Sequence, residues 1–400
     1  MVIIVFCLWW PAQGYTQDSP LLFPHHNQLS SLSDDMDHQS LITAATRHLG
    51  YLHKLSPDTV VQLDQDICNK ECLLQSMATF IEILQQEPSP TELDRAIQQN
   101  FHIYQTAGRD KGRKGEMLIT GYYEPVLEGS LSKGEPFIHP LYSPPDSLIN
   151  YRDPVSGKKT TGRQHPGGQT IPFWSRAEIE EGKLLAGNEL VYLKDQMDAF
   201  TLHIQGSGKI RLPDGSLRAL QFAATNGHQY KSIGKLLVDE KKMSAAETTM
   251  PSIRQYLRQN PHEQKRILHH NPRYVFFQWN TKKESPTGSI GLPLTAGRSI
   301  AVDPATLPTG LMAYIVTQKP VLDKEGRLLH WEPMHRFVLP QDAGAAIKGA
   351  GRADLFWGNG HYAEIAAGNM KEQGQLYFLV KKDMTTNTKQ ATLAARPSLP

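Results

Sequence analysis

Val302-Asp303-Pro304-Ala-Thr-Leu-Pro308-Thr-Gly310, Gln341-Asp342-Ala-Gly344-Ala-Ala-Ile-Lys348-Gly349 and Arg352-Ala-Asp354-Leu-Phe-Trp357-Gly358 are three strings near the end of a 400-residue chain. In each, an aspartate stands among glycine, proline and apolar residues and away from other acids. Gly344, Gly349 and Gly351 lie between Asp342 and Asp354, where backbone segments can approach closely. An aspartate beside Gly or Pro is ordinarily a turn former. Three in one region, interleaved with apolar runs, point to a site instead, because an apolar setting raises a carboxyl pKa and lets the group carry a proton.

The rest of the chain bounds the possibilities. Hydrophobic residues make up 39% of the sequence, enough for one large or two medium domains with real cores. The net charge is only +2, so no polybasic field exists and nucleic acid is excluded as a natural partner. Met1 to Trp10 is an apolar run too short to span a bilayer. It reads as a signal-peptide core with Ala12-Gln13-Gly14 as a small-x-small cleavage site, although the usual basic start is missing. Cys7 lacks the preceding small residues that lipidation would need. Cys68 and Cys72 are spaced to share one helix face, either as a disulfide in an oxidising compartment or as two buried thiols. None of the 16 histidines pairs with a serine and an acid as a hydrolase triad would require, and no metal-ligand spacing is present.

After residues 1–14 as signal, 15–39 read as a flexible lead-in rich in Ser, Asp and His. Val60, Leu63, Ile67, Leu74, Met77, Ile81 and Leu84 recur at helical steps, and Thr91 with Asp94 reads as the start of the next helix. Beyond Met117 the pattern turns β-like. Residues 129–172 read as long loops, Ser175 and Glu178 as a capping box, and 198–212 as a hairpin turning at Gly206-Ser207-Gly208. A helix is expected from about Pro251, with Ile253, Tyr256 and Leu257 on one face, and a buried strand at Tyr274 to Phe277. Strands and tight turns fill the chain from Ser289 to Val380, and 384–400 read as a disordered tail.

Further strings occur in a telling order: Thr120-Gly-Tyr122-Tyr123-Glu124-Pro125, His203-Ile-Gln205-Gly-Ser207-Gly208, Thr225-Asn226-Gly227-His228, Ser232-Ile-Gly234-Lys235 and Asn271-Pro-Arg-Tyr-Val-Phe276-Phe277. Together with the three aspartates, this ordered set resembles the MltA-type lytic transglycosylases with their three-aspartate domain. The resemblance covers roughly residues 115–380. It implies a mainly β fold with α-helical cover: a double-psi β-barrel domain from residues 40–125 and 280–383, containing the three-aspartate region 289–380. A second, small β-barrel-like domain is inserted at 126–279, and an extended glycan lies in the cleft between them.

The implied reaction cuts the bond between N-acetylmuramic acid and N-acetylglucosamine in peptidoglycan without external water. The C6 hydroxyl attacks C1 of its own sugar and leaves a 1,6-anhydro ring. One carboxyl group can then act first as acid and later as base. The family motif assigns that role to Asp354, beside Leu355, Phe356 and Trp357, with Asp342 and Asp303 in support. Gln205 and Ser207 are expected to bind sugar hydroxyls and N-acetyl groups. Strand alternation puts one of Tyr122 and Tyr123 in the cleft, and Tyr123 is preferred here. Lys348 is assigned to the lactyl carboxylate or peptide, and Asn226 to the cleft. Glu124 stands where some members carry a small polar residue and opens the prospect of a second carboxylate. A muramidase using Asp354 with Glu124 or Asp342, and a non-catalytic cell-wall binding module, are the alternatives. No metal or organic cofactor is implied. The expected partners are glycan strands, with the inner face of the outer membrane and other cell-wall enzymes open, and a monomer in the periplasm is expected.

Overall fold

A computed structural model describes residues 21–22, 31–64, 66–109, 114–154, 157, 159–281, 286–384 and 386–387. The signal assigned to 1–14 and most of the tail lie outside them.

Six strands close into a ring: Met117–Glu124, Lys371–Lys381, Met312–Leu322, Leu328–Asp342, Ser299–Ala301 and Arg352–Asn359. Closure comes from Lys371–Lys381, which pairs along one stretch with Met312–Leu322 and along another with Met117–Glu124. Two pairings are parallel, Ser299–Ala301 with Leu328–Asp342 and Arg352–Asn359 with Met117–Glu124. Parallel neighbours need crossovers, so the ring takes strands from before residue 125 and after residue 298 and cannot form from either part alone. On its strands Met117, Ile119, Ile300, Phe337, Leu339, Ala353 and Leu355 are all buried, in a core shared with the covering helices. A closed ring also leaves few free edges for unwanted pairing.

Several helices cover the ring, two of them from the N-terminal part. His38–Leu52 buries Leu41, Ala44, Ala45 and Leu52, and Lys70–Gln85 buries Leu73, Met77, Phe80 and Leu84. The Phe80 ring lies 5.1 Å from that of Phe337 and 6.4 Å from that of Phe101, joining cover to barrel. The helical reading of Val60 to Ile67 is corrected. Val60–Leu63 and Asp66–Asn69 form a hairpin around Asp64, whose φ is +43°, and the helix begins only where Asn69 caps it by accepting from the Cys72 N–H. Cys68 and Cys72 do form a disulfide, but across this strand–helix junction and not along one helix face. Ser89 with Glu92, not Thr91 with Asp94, makes the next cap.

The lead-in is not loose where it is described. Arg298 is fully buried and its guanidinium meets both Asp34 oxygens at 2.7 and 2.8 Å, while Asp34 also accepts from the Phe337 N–H. Asp35 pairs with Arg336. These contacts pin residues 34–37 to the barrel. Asp34→Ala leaves a buried guanidinium without its carboxylate and is expected to cost about 3–5 kcal/mol, read as a lower urea midpoint. A loss under about 1 kcal/mol would show that the clasp is not structural. Thr386–Asn387, expected in the tail, pairs with Asp66–Asn69.

Residues 126–280 build a second six-stranded sheet in the order Val275–Asn280, Leu217–Thr225, Ser207–Arg211, Val126–Ser130, Glu189–Leu193 and His139–Tyr142. Its core includes Leu141, Val191, Leu202, Ile210, Leu220 and Phe277. The loop reading of 129–172 missed four strands, the last three of which form a separate small sheet at Ile149–Arg152, Lys159–Gln164 and Thr170–Pro172. The first half of the expected 198–212 hairpin is a helix, Gln196–Gln205. Asp195 caps its start and Gly206, at φ +78°, ends it before the strand Ser207–Arg211. The expected helices at Ser175 and Pro251 form as Arg176–Gly182 and Met250–Gln259.

Candidate active site

Ala301 is the centre of the site. It pairs with Asp342 on one neighbouring strand and with Asp354 on the other. Strand spacing therefore puts the two aspartates about 9–10 Å apart at their α carbons, with only a methyl group between. Both line a cavity of about 610 Å³ between the barrel and the inserted sheet, within the range usual for ligand sites, roughly 300–1,000 Å³. The opposite wall comes from His203, Gln205, Ser207, Phe222 and Arg273, and Tyr122 and Ser289 complete it.

Asp354 Oδ1 accepts from the Thr120 hydroxyl at 2.9 Å, and Thr120 accepts in turn from Arg352 at 3.2 Å. Its Oδ2 has no partner among the described residues. Burial pushes the Asp354 carboxyl up, and the charge of Asp342 adds to this, against Thr120 and Arg352; the pKa ends at about 6. Asp342 is held differently. Its Oδ1 accepts from the Ser289 and Ala343 N–H groups at 2.9 and 2.8 Å, and its Oδ2 from the Tyr122 hydroxyl at 3.0 Å. Burial raises its pKa against these bonds. Burial and Asp342 also hold the Tyr122 phenol well above its usual range, so it stays a donor. The loop carrying Ser289 approaches so closely that a Cβ on Gly288 would lie 2.2 Å from the Gln341 carbonyl oxygen, which leaves glycine as the residue that fits.

The third aspartate is elsewhere. Asp303 lies outside the cavity, and its Oδ2 accepts from the Gly349 N–H at 2.9 Å. Burial raises its pKa, but Gly349 and Lys348 outweigh this and hold it below the usual range. Asp303 thus anchors the loop between Asp342 and Asp354 and does not raise the pKa of Asp354. Lys348 is also outside the cavity: its side chain is 68% exposed and lies 3.6 Å from Asp303. Asn226 is buried, with its amide committed to the backbone of Trp174, Pro272 and Tyr274. It shapes the inserted domain and does not face the cleft. Tyr122, not Tyr123, faces the cavity. Tyr122 shares a strand face with Thr120, while Tyr123 sits on the other face and meets the cleft only through its N–H, donated to Gln205 Oε1 at 3.1 Å. That bond leaves the Gln205 NH₂ without a partner among the described residues, available as a donor beside Ser207. Glu124 is buried against Lys209 at 3.1 Å, outside the cavity, so it is no second cleft carboxylate.

Sequence reasoning passed over His203. Its Nδ1 lies 2.9 Å from Arg176 Nη1, which can only donate, so the ring accepts there and carries its proton on Nε2. Burial, and secondarily Arg176, hold its pKa well below the usual range, so the ring is neutral. Among the described residues no group of three or more His, Cys, Asp or Glu is placed to hold a metal ion.

A buried carboxyl group with a raised pKa and one free oxygen, set in a cavity lined by hydrogen-bonding side chains, equips this cleft for proton transfer. Residues 118–278 match the model of the MltA specific insert domain and 298–380 that of the 3D domain. The chain is 32% identical to membrane-bound lytic murein transglycosylase A of Vibrio cholerae over 281 residues, 69% of this chain and 68% of that one, and belongs to that family. It spans about two thirds of the length of the curated relatives it matches. A membrane-bound lytic murein transglycosylase from Agrobacterium tumefaciens has the same fold at 26% identity and a TM-score of 0.70, over 90% of this chain and 95% of that one. So does E. coli MltA, solved with bound chitohexaose, at 24% identity and a TM-score of 0.66, over 92% and 97%.

Proposed function

We propose that this chain is a peptidoglycan lytic transglycosylase in which Asp354 is the only proton-transferring carboxyl group. The observation that carries the reading is the Asp354 carboxyl itself: half-buried in the cleft, raised to about 6, with one oxygen fixed by Thr120 and the other free. The protonated Oδ2 gives its proton to the glycosidic oxygen as the C1–O bond breaks. The resulting carboxylate takes the proton of the C6 hydroxyl as that oxygen closes on C1. No water enters, and Asp354 ends the cycle protonated, ready to donate again. Asp342, fixed by three donors, stabilises positive charge at C1 electrostatically. Gln205 and Ser207 offer hydrogen bonds to the sugar hydroxyls and acetamido groups. The two sheets act as the two jaws of the cleft, with the insert at about 126–279.

A muramidase would need a second carboxylate free to activate water or attack C1. Asp342 has both oxygens engaged and Glu124 is outside the cavity. Relatives named as membrane-bound murein enzymes support a place in the cell envelope, facing the wall. No helix among the described residues is long and apolar enough to cross a membrane. The test is end-group analysis by mass spectrometry of the fragments released from purified sacculi. Anhydro ends are expected; reducing ends would make the protein a muramidase, and no release by folded protein would make it a binding module.

A further inference from the structure

A second cavity, of about 690 Å³, opens beside the first and shares Arg273 with it. Its floor is the small sheet of residues 149–172, which carries Asn150, Arg152, Lys159, Thr160 and Thr161 into its wall. None of its lining residues is acidic. Arg152 and Lys159 stand directly opposite each other in the antiparallel pair Ile149–Arg152 and Lys159–Gln164. Like charges in that position destabilise a sheet, and neither has a carboxylate partner among the described residues. Among the described residues, the Arg152 side chain donates only to the Gly157 carbonyl, and the Arg273 side chain makes one long contact, 3.5 Å to the His228 carbonyl. Three cations with hydroxyl and amide neighbours and no carboxylate partner among the described residues, lining a cavity that shares Arg273 with the cleft, fit a ligand bearing several carboxylates.

We propose that this cavity receives the peptide borne by the muramic residue of the glycan, with Arg273 at the junction and Arg152 and Lys159 at the outer wall meeting its carboxylates. The inference rests on the reading of the cleft as a peptidoglycan transglycosylase. If the muramic ring sits over Asp354, its lactyl arm must leave the glycan axis sideways, and the shared wall at Arg273 offers that exit. A plain chitooligosaccharide has no such arm and would leave the cavity empty.

The test compares kcat/KM on soluble, uncrosslinked peptide-bearing strands with kcat/KM on the same strands stripped of peptide by an amidase. Wild type is expected to prefer the peptide-bearing strands. Arg152→Gln with Lys159→Gln, two exposed strand positions, is expected to lower that preference by roughly tenfold, the size of one charge-assisted hydrogen bond. Arg273→Gln should lower it in the same direction, mainly through KM. An equal fractional loss on both substrates, or no change in their ratio, would overturn the proposal while leaving the transglycosylase reading intact. Absence of anhydro products from either substrate with wild type would instead remove that reading and this one with it.

Discussion

Asp354→Asn is expected to lower the rate of glycan cleavage about 10²- to 10⁴-fold, the usual contribution of a general acid–base group, while making the folded protein more stable above pH 6. The two effects share one cause. The folded pKa of about 6 lies above the ordinary aspartate value of 3.8. Between those values the folded state binds the proton more tightly than the unfolded chain, so wild type loses stability as pH rises through the window. About two units correspond to at most about 3 kcal/mol, reduced by whatever water the cavity admits. Asparagine never charges, so the variant's advantage should be absent near pH 3.5, grow between 4 and 6 and be full at pH 8. Urea midpoints at about pH 3.5, 5 and 8 check this. A variant that is inactive and also less stable at pH 8 would point to a structural role for Asp354.

Asp342→Asn is the second large effect. The substitution removes the charge that helps raise the Asp354 pKa and leaves one acceptor oxygen in place of two, so either Tyr122 or the Ser289 and Ala343 N–H groups lose their partner. The rate should fall about 10²-fold, the scale of one preorganised electrostatic contact. The pH profile should move as well. Activity needs Asp354 protonated, so wild-type kcat/KM falls as pH rises through about 6. Without Asp342 that fall should begin at lower pH. A rate loss with an unmoved profile would mean that Asp342 acts on the sugar alone.

The barrel, built from two separated stretches of chain, was legible only through the family resemblance, whereas Asp342 and Asp354 stand out in the sequence because their signals are local. Asp354 is followed at once by the apolar residues that bury it, and Asp342 by the glycine and alanines that let the strand turn away. Asp303 was legible as a residue type but not as a role: its partner, Gly349, is 46 positions away. The choice between Tyr122 and Tyr123 depended on which strand face carries Thr120, and Thr120 became informative only once Asp354 lay beside it. Residues 198–205 alternate in hydrophobicity like a strand, yet the helix there is buried on several sides by the inserted domain, so tertiary burial masks its period. His203 and Arg273 were hidden for a related reason. What marks them is an unmatched donor or charge at a wall built from distant segments, and spacing along the chain does not encode that.

The cleft holds one carboxyl group, Asp354, that keeps its proton up to about pH 6. The most direct measurement is a carbon-13 NMR titration of protein labelled at the aspartate side-chain carboxyl, with Asp354→Asn assigning the missing signal. The account predicts that this resonance titrates near pH 6. An Asp354 that titrates at or below about pH 4, as an ordinary aspartate does, would contradict it.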